Sequence, residues 1–492
     1  MSLINVANLT FAYEGSYDNI FENVSFQIDT DWKLGFTGRN GRGKTTFLNL
    51  LMGKYEYRGN ISASVSFEYF PFPVENKEKN TIDVIKDILP NLVHWEFLRE
   101  LSLLEVSKDV LDRPFQSLSH GEQTKVLLAA LFLKENSFLL IDEPTNHLDM
   151  AARKLVSEYL NTKRGFILVS HDRAFLDNCI DHILSINKVN IEIQKGNFSS
   201  WWENKKRQDS FELTENEKLK KDIEHLSDSM KRTGGWSQEV ERSKKGAKNS
   251  GIKPDRGYVG HKAAKMMKRA KSMENRQRSA INKKSKLLKN IEESHCLKIN
   301  PLVYHKSRLA ELDHVSIFYD EKIVCRDISF TVEQGDRIAL LGKNGSGKSS
   351  ILKLILGERI DYTGTFQKGS QLKISYVAQD TSHLRGNLTD YAEENGIDES
   401  VFKANLRKLG FARIQFEKDI SHFSGGQKKK VLIAKSLSEP AHLYIWDEPL
   451  NYIDVISRIQ IEELLLQYQP TILFVEHDRT FSKNIATKTV NF

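Results

Sequence analysis

Apolar positions along this chain follow two different patterns, and the change between them divides it. In two places a short apolar run enters a glycine-rich loop: Lys33–Thr37 before GRNGRGKT, and Arg337–Leu341 before GKNGSGKS. Segments compatible with a helix, Thr46–Leu51 and Ser350–Ile355, leave these loops. Two further unbroken runs, FLLIDEP (Phe138–Pro144) and LYIWDEP (Leu443–Pro449), predict strands that end in carboxylates. The middle of the chain reads differently. Leu219, Ile223, Leu226 and Met230 lie at spacings of 4, 3 and 4, a heptad stripe. A second stripe runs through Met266, Ala270, Met273, Ala280, Leu287 and Ile291, interrupted by Gln277 and Lys284. Between the stripes, Gly234–Gly260 holds six glycines and Pro254, which should end helical pairing. This pattern predicts two long helices packed antiparallel and joined by an extended tip. No run reaches about 18 apolar residues, so no segment is expected to span a membrane.

The flanking halves are copies of each other. Lys44 and Lys348 are 304 residues apart, Glu143 and Glu448 are 305, and His171 and His477 are 306. An offset this steady over more than a hundred residues indicates duplicated domains. The expected organisation is an α/β domain at 1–196, a helical hairpin linker at 197–300 with a tip at about 234–262, and a second α/β domain at 301–492.

Each half carries the same chemistry in the same order. Both glycine-rich loops fit G-x-x-x-x-G-K-[ST], in which backbone N–H groups close on phosphate oxygens, Lys neutralises their charge and the hydroxyl binds Mg²⁺. The candidate ligands are Gly38, Arg39, Asn40, Gly41, Arg42, Gly43, Lys44, Thr45 and Thr46 in one half. In the other they are Gly342, Lys343, Asn344, Gly345, Ser346, Gly347, Lys348, Ser349 and Ser350. Downstream, Ser119, His120, Gly121 and Glu122 match Ser424, Gly425, Gly426 and Gln427; each set opens a helix and offers N–H donors to phosphate. The strand-end pairs Asp142–Glu143 and Asp447–Glu448 follow, 24 residues separating Ser from Glu in both halves. The Asp suits Mg²⁺ coordination and the Glu suits polarising an attacking water. VSHD (Val169–Asp172) and VEHD (Val475–Asp478) close the series. The chain should therefore bind two nucleotides.

Charge changes the picture of the linker. The whole chain carries +7, but residues 231–290 hold 19 Lys and Arg against 4 Asp and Glu, a surplus of 15, leaving −8 for the remainder. So local a concentration suggests a polyanionic partner. Lys244, Lys245, Lys248, Lys253, Arg256 and Lys262 are interleaved with Trp236, Tyr258 and His261, the mixture of cations and planar rings that suits folded RNA. Trp201 and Trp202, at the hairpin base, should pack against the first domain. Three scattered cysteines, Cys179, Cys296 and Cys325, make neither a disulfide framework nor a metal site. The N-terminus lacks the layout of a signal peptide, so a cytoplasmic location is expected.

Taken together, both halves resemble tandem ATP-binding-cassette domains. The resemblance implies that Tyr13 and Tyr319 stack on adenine and that His171 and His477 hold the γ-phosphate beside the catalytic Glu143 and Glu448. It implies Mg²⁺ at Thr45, Asp142, Ser349, Gln379 and Asp447, and an intramolecular cassette dimer in a monomeric protein. It also implies two sandwiched sites, Gly38–Thr45 against Ser424–Gly426 and Gly342–Ser349 against Ser119–Gly121. Two departures make the sites unequal: Phe72 stands where Gln379 does in the second half, and PTNHLD (Pro144–Asp149) becomes PLNYID (Pro449–Asp454). Two cassettes, no membrane domain and a basic helical linker resemble the ABC-F class, in particular its Lsa- and Vga-type antibiotic-resistance members. The long tip and the absence of an inserted arm carry that likeness, the intervals Phe72–Ser119 and Gln379–Ser424 being 47 and 45 residues. It implies binding to the 70S ribosome, with 23S rRNA and P-site tRNA as partners, and displacement of lincosamides, A-type streptogramins and pleuromutilins. Alternatives are a housekeeping factor of the same class, the ATPase pair of a drug exporter, and a DNA-repair ATPase.

Overall fold

A computed structural model describes residues 2–14, 19–146, 148–186, 191–243, 261, 264–265, 268, 271–272, 275–276, 279, 297–319, 322–343 and 345–492. One compact unit comprises Met1–Trp201 and Ser294–Phe492, and a second comprises Trp202–Glu293.

In the first unit, the apolar runs become the central strands of two sheets. One sheet is ordered Ser66–Phe70, Ser137–Asp142, Phe166–Val169, Lys33–Thr37, His182–Ile186, Ile191–Lys195. Its neighbours are parallel except the last pair. The other sheet is ordered Ile374–Val377, Leu443–Asp447, Ile472–Val475, Arg337–Leu341, Lys488–Asn491, and is parallel throughout. Parallel strands are covered on both faces, which is why FLLI and LYIW are apolar without alternation. Leu140, Ile141, Tyr444 and Trp446 are fully buried. Register then places the chemistry: Asp142 pairs with Val169 and Asp447 with Val475, so the carboxylates and the His loops leave the sheets at the same, carboxyl edge. Ligands of open parallel sheets bind at that edge.

Each half adds an antiparallel sheet, Phe21–Asp29 with Leu3–Phe11 and Arg58–Ser62, or Lys322–Glu333 with Arg308–Tyr319 and Asp361–Lys368. Phe47, on the helix Lys44–Leu51, is fully buried and packs against Phe21, Phe26 and Phe36 at centroid distances of 6.0, 5.7 and 5.6 Å. These rings fix the helix, and with it the loop that precedes it.

In the second unit, the helix Phe198–Ser243 is 46 residues long. Leu219 and Ile223 of the predicted stripe are half-buried; the side chains of Leu226 and Met230 lie outside those described. The helix runs through Gly234 and Gly235, where the sequence suggested that helix would stop. Glycine costs a helix only about 1 kcal/mol relative to Ala and does not by itself end one. On the far side of the tip, His261, Lys265, Lys268, Lys271 and Arg276 are helical and exposed. The apolar stripe from Met266 to Ile291 falls outside the described residues. At the start of the long helix Trp201 is buried against Phe198, while Trp202 lies under Lys206, 5.5 Å from the ring centre.

Truncating the ring against which three other aromatics pack should be costly. Phe47→Ala is expected to lose about 3–5 kcal/mol and to lower the melting temperature by on the order of 10 °C, read by differential scanning fluorimetry.

Candidate functional site

Both phosphate loops close on their own lysine. Gly43 and Gly347 cap the following helices in left-handed conformation, φ 90° and 92°. A side chain at Gly43 would also meet Ile20 at 2.5 Å, so only glycine fits. Lys44 Nζ donates to the Gly38 and Arg39 carbonyls at 2.6 and 3.3 Å and to Asn40 Oδ1 at 3.4 Å. Lys348 donates to Gly342 and Lys343 at 2.9 and 2.8 Å. Burial lowers the pKa of both ammonium groups. A polyphosphate entering the loop would supply the countercharge they lack.

The carboxylates sit at the strand ends. Asp142 Oδ2 accepts from Thr45 at 3.2 Å and from the Tyr69 hydroxyl at 2.9 Å. Asp447 accepts from Ser349, while its buried Oδ1 has no hydrogen-bond partner among the described residues. Glu143 and Glu448 both adopt positive φ, 52° and 46°, with their N–H groups bonded to Val169 and Val475 at 2.8 and 3.0 Å. That turn, unusual for a non-glycine residue, directs the second carboxylate over the sheet edge instead of along the strand. His171 Nε2 stands 3.2 Å from Glu143, and His477 Nε2 stands 3.4 Å from Glu448.

Here the two sites diverge. Glu448 Oε2 accepts from Gln379 at 2.9 Å and from Asn451 at 2.6 Å. Phe72, half-buried at the place corresponding to Gln379, has no donor to offer Glu143. Burial, reinforced by the Asp142 charge, pushes the Glu143 carboxyl up to about 8. Burial also pushes Glu448 up, but hydrogen bonds from His477 and Gln379 more than offset it and hold that carboxyl below its ordinary value. His171 is buried and kept well below the usual histidine range, hence neutral.

The signature segments face the opposite half. Ser119 and Ser424 begin the helices His120–Leu131 and Gly425–Ser438 with reciprocal capping boxes to Glu122 and Gln427. The caps fix the first helical turn and leave its N–H groups as a positive end for phosphate. Around Gly38–Thr45 the halves touch. Asn40 Nδ2 donates to the Tyr452 carbonyl at 2.7 Å, and the Asn40 N–H lies 3.4 Å from Asp454 Oδ2. Gly426 is packed beneath them, its missing Cβ falling 2.8 Å from Asn40 Nδ2. At Gly342–Ser349 lies a cavity of about 660 Å³, and His147, at the place of Tyr452, is outside the described residues. Ser119, His120, Gly121 and Glu122 line one wall; Gly345–Ser350, Gln379, Glu448 and His477 line the other. Asn344 lies outside the described residues. Tyr13 and Tyr319 are 42% and 44% exposed; the Tyr13 ring packs edge-on against Phe11 and Tyr55 at 5.1 and 5.7 Å, and its hydroxyl is bonded to Thr46 Oγ1 at 2.7 Å. Of the tip residues, only His261 is described; Lys244, Lys245, Lys248, Lys253, Arg256, Tyr258 and Lys262 lie outside the described residues.

Some interface groups were passed over in the sequence. Arg153 bonds to Asp172 at 3.2 Å and to the Leu148 carbonyl at 3.0 Å. Arg458 does the same with Asp478 at 3.1 Å and Ile453 at 2.9 Å. Each Arg ties the loop after its His to the loop before the helix capped by Asp149 or Asp454. Lys430 forms a buried pair with Asp454 at 2.6 Å. The signal was available: Arg153 and Arg458, like Asp172 and Asp478, recur at the repeat offset of 305 or 306. Tyr69 carried the same signal, recurring as Tyr376 on the equivalent strand.

A divalent cation fits these donors. Hydroxyl–carboxylate pairs, Thr45 with Asp142 and Ser349 with Asp447, supply hard oxygens, and Asp447 Oδ1 is a buried acceptor awaiting a donor. Among the described residues no cluster of three or more His, Cys, Asp or Glu could hold a metal alone, as expected for Mg²⁺, which takes most of its ligands from phosphate and water.

Gly426→Ala would set a Cβ 2.4 Å from the Tyr452 carbonyl. It should lower steady-state ATP hydrolysis by about tenfold or more, because misplacing a reacting group by 1 Å costs up to about a hundredfold.

The comparisons agree with this geometry. The family model described as ABC transporter matches residues 21–146 and 325–451. ATP-binding protein Uup of Buchnera aphidicola subsp. Acyrthosiphon pisum (strain APS) is 27% identical over 522 residues, covering 99% of this chain and 80% of that protein. Ribosome protection protein VmlR of Bacillus subtilis (strain 168) is 29% identical over 498 residues, covering 97% and 84%. Among solved structures, the archaeal ribosome recycling factor aABCE1, in complex with the stalk protein aP1, superposes with a TM-score of 0.62 at 19% identity. That match covers 98% of this chain and 87% of the other, and at that identity it speaks for the fold. No helix among the described residues is long and apolar enough to cross a membrane. With its two halves matching in turn, the chain belongs to the ABC transporter family, as an ATP hydrolase that carries the family's ATPase domain twice.

Proposed function

We propose that this ATPase is a ribosome-binding member of the ABC-F class that displaces antibiotics bound near the peptidyl-transferase centre. The likeness to a ribosome protection protein over 97% of the chain carries the reading. The surplus of 15 positive charges in residues 231–290 supports it, since a segment so charged seeks polyanions. A helical hairpin linker at 197–300 with a basic tip would be the part that meets 23S rRNA and P-site tRNA, in a cytoplasmic, ribosome-associated protein.

In the catalytic cycle, each phosphate loop cradles ATP, with Lys44 or Lys348 against the phosphates. Thr45 and Asp142, or Ser349, Asp447 and Gln379, would hold Mg²⁺, which would offset phosphate charge. Tyr13 and Tyr319 stack on adenine. Ser424–Gln427 and Ser119–Glu122 present helix N-termini to the nucleotide held by the opposite half. Closure then depends on ATP, because only a triphosphate spans both faces. Glu143 and Glu448 orient the attacking water, and the imidazoles of His171 and His477, each beside its carboxylate, face the γ-phosphate. In the closed state the protein enters the tRNA exit site and the tip shifts tRNA and rRNA; drugs of the lincosamide, streptogramin A and pleuromutilin type lose their site. Hydrolysis removes the bridging phosphate, and the protein leaves. A second reading is a housekeeping translation factor of the same class, without drug specificity; the nearly equal likeness to a relative named only as an ATP-binding protein, Uup, over 99% of the chain leaves room for it.

The double variant Glu143→Gln, Glu448→Gln should remain on ribosomes in ATP and pellet with them through a sucrose cushion. Pelleting no greater than wild type would end the ribosome cycle. Deleting residues 244–262 should leave hydrolysis by the free protein within about twofold while abolishing protection of in vitro translation from a lincosamide. Translation equally drug-sensitive with and without the intact chain would favour the housekeeping reading.

A further inference from the structure

Beside Gly38–Thr45 one ion pair joins the two halves, and the repeat does not reproduce it. Arg173 Nη2 donates to Glu462 Oε2, with the two side chains only 13% and 10% exposed. The other Glu462 oxygen accepts from Asn484 Nδ2 at 2.6 Å, so the carboxylate is held on both sides. Arg173 opens the helix directly after His171 and Asp172; Glu462 lies on the helix capped by Asp454. Both therefore flank the site of Gly38–Thr45, on the same side as the Asn40 contacts to Tyr452 and Asp454.

Repeat symmetry would demand a second such pair on the other side. It is missing in the sequence itself. At the repeat offset, Arg173 corresponds to Arg479 and Glu462 to Ser157. Arg479 is exposed, and the Ser157 hydroxyl is turned back on the Lys154 carbonyl of its own helix at 2.7 Å. A serine so occupied cannot draw the opposite half inward. On that side stands the cavity of about 660 Å³.

We propose that Arg173 and Glu462 form a one-sided latch. They are positioning residues that hold the halves together around Gly38–Thr45, so that filling of the Gly342–Ser349 site is the step that completes closure. Attraction between the halves is built into one side by protein charge and left to the nucleotide on the other. With the latch in place, a single nucleotide at the second site suffices to finish the clamp; without it, both sites must fill before closure is stable, and the two binding events become coupled. The proposal concerns ATP turnover alone and stands apart from the ribosomal reading.

Steady-state hydrolysis by the full chain, measured against ATP concentration without ribosomes, tests it. Arg173→Glu should raise the half-saturating ATP by about tenfold, the scale expected for a close charge pair at a desolvated interface, and should raise the Hill coefficient. The rate at saturating ATP should stay within about twofold, since the pair touches neither nucleotide nor water. Glu462→Gln, nearly isosteric, should shift half-saturation in the same direction by a smaller factor and guards against a charge reversal that misfolds. The exchange Arg173→Glu with Glu462→Arg should restore both values, and Arg479→Glu, the mirror position, should leave them unchanged. The latch is refuted if both single variants, folded by their melting curves, keep wild-type half-saturation and Hill coefficient, or if the exchange fails to rescue, or if Arg479→Glu acts as strongly as Arg173→Glu.

Discussion

Charge buried between the two halves must be paired, and the structure solves this largely within each half. Asp454 is fully buried, yet Lys430 lies against it and the Ser457 N–H and hydroxyl bond to it. Arg458 and Arg153 do the same for Asp478 and Asp172, which repel each other across the interface. Leaving such a charge without its partner costs about 3–5 kcal/mol, so these loops have one stable arrangement. They are the loops that carry His171 and His477 and that face the opposite phosphate loop. Electrostatic self-sufficiency in each half is thus what lets the halves approach without losing the geometry of the sites.

That solution leaves the nucleotide as the remaining source of attraction, and the two sites differ in how much attraction they already have. Around Gly38–Thr45, Asn40 reaches Tyr452 and Asp454, and Arg173 reaches Glu462. Around Gly342–Ser349, a cavity separates the signature segment from the phosphate loop. The catalytic carboxylates differ in the same sense. Glu448 is held by Gln379 and Asn451 beside His477, while Glu143 lies more isolated beside His171 and is pushed toward its protonated form. One carboxylate is poorly supported and the other well supported, and the difference goes with Phe72, which breaks the repeat at the place of Gln379.

The linker shows where local sequence signals fall short. The glycine-rich stretch from Gly234 suggests an end to helical pairing, but the helix continues to Ser243. Glycine lowers helix stability by about 1 kcal/mol without removing a hydrogen bond, so an established helix crosses it. The phosphate loops behaved oppositely: there the chain needs a left-handed cap and close approach of backbone to backbone, and glycine is required, not merely tolerated.

The sequence alone determined the strands, the loops and the order of motifs, because phosphate binding at the end of a buried strand demands particular residues at fixed local spacings. It also carried the duplication, in an offset of 304 to 306, and the loss of symmetry at Phe72. It did not disclose Tyr69 against Asp142, the Arg–Asp ties behind the His loops, or the pairing of Arg173 with Glu462 across 289 residues. Those depend on which helix faces which once the two halves meet, and on burial that removes water and leaves a charge few partners within reach. Local spacing encodes what a backbone segment can bind; only the assembled interface decides which distant charges must meet.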